Sequence, residues 1–280
     1  QGGSVHTRSW GGVCADRPCF RHALRGEATR KVGIMATRDE MATSFGAAAG
    51  AYDEGRPDYP AEAVAWLLEP AGPRPRVADI GAGTGKLTKV VATLGADVIA
   101  VDPDAAMLAR LRDVLPGVQT LIGAAETLSL PDESLDAAVL GQAWHWVDPV
   151  AGSAEIGRVL RPGGVLGLIW NIRDESVPWV ARLTAIMKGS HAEQLLAGDG
   201  PVVASPFGPL ETRTWRWQRP VTRQTLTAMV HSRSYIITAS ADERARIDRE
   251  IGALFDEVGA VGDQSVALPY VTHAYRARRP

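Results

Sequence analysis

The chain has 280 residues, 45% of them hydrophobic and 22% charged, with a formal net charge of −2. That is enough chain for one large α/β domain, and the near-neutral balance gives no global field to draw it to nucleic acid or anionic lipid. No apolar run approaches the 18 or more residues of a membrane span, and the two cysteines, Cys14 and Cys19, offer the rest of the chain neither a disulfide framework nor a zinc site.

Residues 1–34 carry no apolar period and are rich in arginine. We read residues 1–40 as an N-terminal extension, disordered or not native to the chain, with a start near Met35 or Met41. Residues 41–280 form the expected domain, with 45–175 as its core and 176–280 as lid and C-terminal sheet. A short helix is expected over Ala61–Leu68, ended by Gly72-Pro73-Arg74-Pro75. Val77–Ile80 is a strand, and Lys86–Leu94 a helix. Asp97–Val101 is a second strand running out at Asp102, and Ala105–Leu115 is a helix with Asp104 as N-cap. Strands follow at Val118–Ile122 and Leu135–Leu140, a helix at Ala154–Leu160, and a strand at Val165–Trp170. Strands that alternate with helices and are apolar throughout indicate a parallel sheet covered on both faces. Beyond Trp170, helices are expected over Pro178–Leu196, Thr225–Tyr235 and Ala241–Val258. Gly198–Pro209 reads as loop, with strands at Glu211–Gln218 and Leu268–Arg276.

The chemistry concentrates between the first strand and its helix. Asp79-x-Gly81-Ala82-Gly83-Thr84-Gly85 allows tight turning and close backbone approach to a ligand. Asp102, at the end of the next strand, can accept both hydroxyls of a ribose. The spacing is G-x-G-x-G rather than the dinucleotide G-x-G-x-x-G, and an acid precedes it. A pyrophosphate disfavours that acid, whereas an α-ammonium suits it. S-adenosyl-L-methionine, which has a ribose and an ammonium but no phosphate, is therefore preferred over a nicotinamide dinucleotide.

These residues resemble a known family. Val77–Gly85 is similar to the first motif of class I S-adenosylmethionine-dependent methyltransferases, and Val101-Asp102-Pro103-Asp104 with Met107-Leu108 to the second. Gly123-Ala124-Ala125-Glu126, Leu135–Val139 and Arg158–Gly164 resemble later motifs. Gln142-Ala143-Trp144-His145-Trp146 and Trp170-Asn171-x-Arg173-Asp174 resemble a small-molecule branch near the ubiquinone/menaquinone-biosynthesis and trans-aconitate methyltransferases. The resemblance implies a Rossmann-like, doubly wound α/β sheet of seven strands in the order 3-2-1-4-5-7-6, last strand antiparallel, as a single domain with a helical cap. It implies that Asp79 and the Gly81–Gly85 backbone, with Thr84, hold the methionine moiety and that Asp102 takes the ribose. Pro103 and Met107 would flank the adenine, Ala125 and Glu126 would lie at its edge, and Gln142 would also meet the cofactor. Tyr52, Arg56 and Tyr59 lie in a further branch-like stretch and are assigned to the acceptor side, with Tyr52 or Arg56 able to approach the cofactor carboxylate.

An acceptor should enter where strands four and five end, beside Trp144, Trp146, Trp170, Asn171 and Arg173. His145 is the first candidate for a base, with a purely structural role as the alternative. Trp144 and Trp146 either share a side or turn apart after the strand. The eight tryptophans against four phenylalanines thus suggest an aromatic-walled acceptor site, with Trp215 and Trp217 as packing residues. The expected activity is methyl transfer to a small organic acceptor in the cytoplasm, without metal, nucleic acid or membrane. An NAD(P)-dependent oxidoreductase and a non-catalytic cofactor-binding protein are the alternatives. O-, N- and C-methylation are not distinguished, nor is the oligomeric state.

Overall fold

The computed structural model describes residues 56–280 apart from 233–235 and 237–238. The proposed extension and Tyr52 lie outside the described residues, as does the end of the helix expected over Thr225–Tyr235. The described elements run in chain order as α1 (Ala61–Leu68), β1 (Arg76–Ile80), α2 (Lys86–Thr93), β2 (Asp97–Asp102), α3 (Ala105–Val114), β3 (Gln119–Ile122) and β4 (Leu135–Gly141). They continue as α4 (Pro149–Val159), β5 (Leu160–Arg173), α5 (Pro178–Met187), α6 (His191–Ala197), β6 (Glu211–Thr222), α7 (Arg223–His231), α8 (Ala241–Glu257) and β7 (Ser265–Arg278).

The seven strands form one sheet in the order β3-β2-β1-β4-β5-β7-β6. β1 pairs in parallel with β2 on one side and β4 on the other, so the strand order reverses between β1 and β4. Crevices at such reversals, outside the carboxyl ends of the strands, are where ligands bind in open α/β sheets. β7 runs antiparallel to both β5 and β6. The chain therefore has the Rossmann-like architecture expected of it.

Apolar residues line both faces of the central strands. One face packs Ala78, Leu140, Leu168 and Trp170 against Ile156 of α4, and the other packs Val77, Val139 and Ile169 against Val64 and Leu67 of α1. A further cluster joins α5, α7 and α8 to the outer strands through Leu183, Leu226, Phe255 and Tyr270.

Several boundaries depart from the sequence expectation. α4 begins at Pro149 rather than at Ala154. Asp148 caps it, accepting from the amides of Val150 and Ala151 at 2.9 Å each, and Pro149 occupies the first helical position, where its missing N–H costs no hydrogen bond. The helix expected over Pro178–Leu196 is two helices. Lys188 takes a left-handed φ of 59°, and Ser190 starts α6 with a capping box closed by Glu193. β5, β6 and β7 all outrun their predicted spans: β5 and β7 pair from Val165↔Arg278 to Arg173↔Tyr270, β6 and β7 from Glu211↔Arg276 to Thr222↔Ser265, and Leu160 at the start of β5 pairs with Leu135 of β4. No described helix is long and apolar enough to cross a membrane.

Candidate functional site

The glycine loop joins β1 to α2 and folds back onto β2. Gly81 and Ala82 both donate their amides to the Val101 carbonyl, at 2.8 and 3.1 Å. Gly83 donates to Oδ2 of Asp102 at 2.8 Å, and Gly85 donates to the Ala82 carbonyl at 2.9 Å. Gly81 has no substitute: its φ is 71°, and a Cβ there would come within 2.7 Å of the Ala143 Cβ. Gly85 caps α2 in the left-handed region, with Lys86 as the first helical residue.

Asp102 closes β2 in the arrangement its position predicts. Its Oδ1 accepts the amide of Asp104 at 2.8 Å while Oδ2 holds Gly83, so both oxygens are fixed in place. Burial pushes its carboxyl above the ordinary carboxylate range, and the two amides oppose the shift. Asp104 in turn caps α3, taking the amides of Ala106 and Met107.

Asp79 is fully buried beneath this loop. Its Oδ2 accepts from the Thr88 hydroxyl at 2.6 Å, which ties β1 to α2, while Oδ1 has no partner among the described residues. Burial raises its pKa from 3.8 to about 7; the Thr88 bond opposes this and the charge of Asp102 adds to it. Asp79 therefore stands one layer behind the surface that a ligand would meet.

Two cavities adjoin at the loop. The larger, of about 480 Å³, is lined by Gly83, Asp102, Pro103, Met107, Ala125 and Glu126 at one end. Gln142, Ala143, Trp146 and Val147 line the other. The smaller, of about 50 Å³, lies between Arg56, Tyr59, Gly81–Thr84, Lys86 and Asn171, and Gly81, Gly83, Gly141 and Gln142 border both. Tyr59 reaches the end of β4 because Gly141 has no side chain; a Cβ there would meet the Tyr59 hydroxyl at 2.6 Å. Glu126 accepts the Asp148 amide through Oε1 at 2.8 Å, which anchors the cavity edge to the start of α4. Gln142, at a left-handed φ of 55°, donates from Nε2 to the Asn171 carbonyl at 2.8 Å.

The expected aromatic wall is corrected by these positions. Residues 144–146 form a 3₁₀ turn, and at about three residues per turn its two tryptophans point apart. Trp146 lines the larger cavity, while Trp144 is buried and donates from Nε1 to the Val202 carbonyl at 2.9 Å. Trp170 is wholly buried in the sheet core. Of the three tryptophans at the strand exits, one faces a cavity. Trp215 and Trp217 pack as expected, against Trp66 at 5.8 Å and Tyr270 at 5.1 Å between ring centres.

Arg173 is also drawn inward. It is 4% exposed and donates from Nη2 to Oε1 of Glu193 at 2.6 Å and to the Thr184 hydroxyl at 3.0 Å, so it clamps β5 to α5 and α6 and borders neither cavity. The capping box places Glu193 there, a role readable from Ser190-x-x-Glu193. His145 borders neither cavity and lies 3.4 Å from the Trp170 indole nitrogen through Nδ1. An indole N–H only donates, so Nδ1 is unprotonated and a neutral ring carries its proton on Nε2. That tautomer presents a donor rather than a base. Lys86 and Ala143, which line the cavities, were not singled out from the sequence. Lys86 follows the glycine motif directly, and Ala143 lies within the Gln142–Trp146 stretch. Among the described residues no group of three or more metal-ligating side chains is assembled.

Comparison with known proteins agrees with the geometry. Residues 78–168 match the methyltransferase domain family. An uncharacterized methyltransferase of Mycobacterium tuberculosis is 46% identical over 245 residues, covering 87% of this chain and 99% of that protein. An uncharacterized methyltransferase of Schizosaccharomyces pombe is 30% identical over 235 residues, covering 81% and 94%. A solved structure described as a candidate type II methyltransferase from Anaeromyxobacter dehalogenans superposes with a TM-score of 0.53 at 25% identity, covering 80% of this chain and 97% of that one. With the glycine loop, the acid closing β2 and the seven-strand order on the same chain, the protein belongs to the methyltransferase family and has its class I fold.

Proposed function

We propose that the protein transfers the methyl group of S-adenosylmethionine to a small organic acceptor. The observation that carries this is the accounting of the glycine-loop amides. The N–H groups of Gly81, Ala82, Gly83 and Gly85 are all engaged within the protein. A pyrophosphate is held by free amides at such a loop, and two carboxylates, Asp79 and Asp102, lie behind this one. A phosphate-free nucleoside cofactor fits that arrangement better than a dinucleotide.

The cavity residues suit such a cofactor. Each oxygen of Asp102 accepts one amide and keeps a lone pair for a ribose hydroxyl. Pro103, Met107 and Ala125 offer apolar surface to a flat base, and Glu126 has a second oxygen for its edge. Arg56, Tyr59, Thr84 and Lys86 surround the smaller cavity, where an amino-acid tail would lie, with the buried charge of Asp79 beneath. The larger cavity falls within the roughly 300–1,000 Å³ of small-molecule sites. When bound, the cofactor supplies a methyl group on a positively charged sulfur, a good leaving group for in-line displacement. The protein's contribution is then alignment and exclusion of water. Gln142 and Trp146, where the cavity meets the strand ends, take that part, and His145 serves as a hydrogen-bonding support rather than a base.

Titration calorimetry with S-adenosylhomocysteine and with NADH tests the reading. Binding of the first and not the second is expected; tight NADH binding without response to S-adenosylhomocysteine overturns it. A screen with labelled S-adenosylmethionine over quinones, phenols, small acids and heterocycles then identifies the acceptor.

A further inference from the structure

A directed series of hydrogen bonds crosses the sheet from its outer edge to the smaller cavity. Trp217 on β6 donates from Nε1 to Oγ1 of Thr272 on β7 at 2.8 Å. The Thr272 hydroxyl donates to Oδ1 of Asn171 on β5 at 2.7 Å, and Nδ2 of Asn171 donates to the Asp58 carbonyl at 3.2 Å. The Asp58 carboxylate lies 3.3 Å from the Lys86 ammonium at the start of α2. Asn171 and Thr272 are direct cross-strand partners, and Trp217 reaches Thr272 diagonally. Thr272 is wholly buried and Asn171 nearly so.

The chemistry of the donors permits one direction only. An indole nitrogen donates and cannot accept. Thr272 therefore receives at its oxygen and spends its single hydrogen on Asn171. That fixes Oδ1 of the amide toward Thr272 and Nδ2 toward Asp58. A flipped amide would set an NH₂ group against a hydroxyl whose hydrogen has no other acceptor, in a buried site where each unmade bond is costly.

We propose that Thr272, oriented by Trp217, is a positioning residue for the ligand site. By fixing the Asn171 amide it holds the 56–59 backbone, and with it Arg56 and Tyr59, as a wall of the smaller cavity. Its bearing on the cofactor rests on the function proposed above; its bearing on the segment does not.

The test is a pair of substitutions. Thr272→Val keeps the shape and removes the hydroxyl, while Thr272→Ser keeps the hydroxyl. Two quantities are read: S-adenosylhomocysteine affinity by calorimetry, and amide hydrogen exchange in a peptide covering residues 56–66. Thr272→Val is expected to weaken binding by about five- to thirtyfold and to speed exchange in that peptide, with Thr272→Ser within about twofold of the parent in both. Trp217→Phe, which keeps the stack on Tyr270 and loses the N–H, is expected to speed the same exchange more modestly, and it serves if Thr272→Val does not fold. Unchanged exchange in Thr272→Val overturns the proposal. So does a Thr272→Ser variant as impaired as the valine, which would make the residue a packing element, or, in the absence of a folded valine variant, unchanged exchange in Trp217→Phe. If the parent protein binds no S-adenosylhomocysteine, the cofactor reading fails, and the exchange data still decide the positioning role.

Discussion

Asp79→Asn should make the ligand-free protein more stable at neutral pH, although it changes a residue of the glycine motif. Burial holds the Asp79 pKa near 7 in the folded state, against 3.8 for an ordinary aspartate, so between about pH 4 and 7 the native state binds a proton that the unfolded chain does not. Stability therefore falls as pH rises through that window, and the accumulated cost approaches about 4 kcal/mol above pH 7, an upper bound since relaxation around a buried charge reduces it. Asparagine is uncharged and isosteric, and its amide oxygen can still accept from Thr88. The repulsion from Asp102, already part of the Asp79 shift, is lost with the charge. At roughly 2–4 °C per kcal/mol, the variant should melt several degrees above the parent at pH 8, with the gap closing toward pH 4. Thermal melts from pH 4 to 8 read this directly. Parallel curves for the two proteins over that range would refute the reasoning, because they would show Asp79 titrating alike in both states. If Asp79 steadies the cofactor's ammonium through the loop, the same substitution weakens S-adenosylhomocysteine binding at pH 8, and in the parent that affinity climbs as pH rises through 7.

Three further outcomes follow from the site. Asp102→Ala should weaken S-adenosylhomocysteine by roughly 1.5–3 kcal/mol, the range for a hydrogen bond to a charged group, as read by calorimetry. His145→Ala should leave kcat within about threefold of the parent once an acceptor is in hand; a loss beyond about a hundredfold would restore the base role that the Trp170 contact argues against. Arg173→Met should cost about 3–5 kcal/mol in urea unfolding, because it removes the cation from the nearly buried Glu193 carboxylate, and Arg173→Met with Glu193→Gln, which keeps an acceptor for the Ser190 capping box, should recover part of the loss.

The fold was legible wherever a local signal and a periodic one agreed. Apolar strands alternating with helices gave the sheet, and the Asp104 cap was found where its sequence placed it. The start of α4 was legible too, in Asp148-Pro149, but the apolar period begins later and drew the boundary with it. The acid-and-glycine half of the site was readable because neighbours in sequence build it: β1, its loop and the end of β2. The residues beyond β4 and β5 were harder to place for the complementary reason. Whether Trp170 or Arg173 faces a cavity depends on what packs over the end of β5, and those partners, Thr184, Glu193 and Tyr275, come from α5, α6 and β7. The strand period gives the side of the sheet, not whether that side is open.

That asymmetry bears on how the two ends of the larger cavity are built. The larger cavity is lined by residues between Ile80 and Val147, drawn from strand ends and the loops that follow them. The ground beside Trp146 is built partly from elsewhere: His191 of α6 meets it edge-on with ring centres 5.3 Å apart. α6 has only seven residues and is too short to hold its own shape in water, so its place depends on the packing of Ala192, Leu195 and Leu196 against the core and on the Arg173–Glu193 clamp. A change in α6 or in its clamp can therefore reshape the ground beside Trp146 without touching Asp102 or the glycine loop. On this view Asp102 and the glycine loop say nothing about an acceptor, and the residues facing Trp146 are the ones to vary in testing for it.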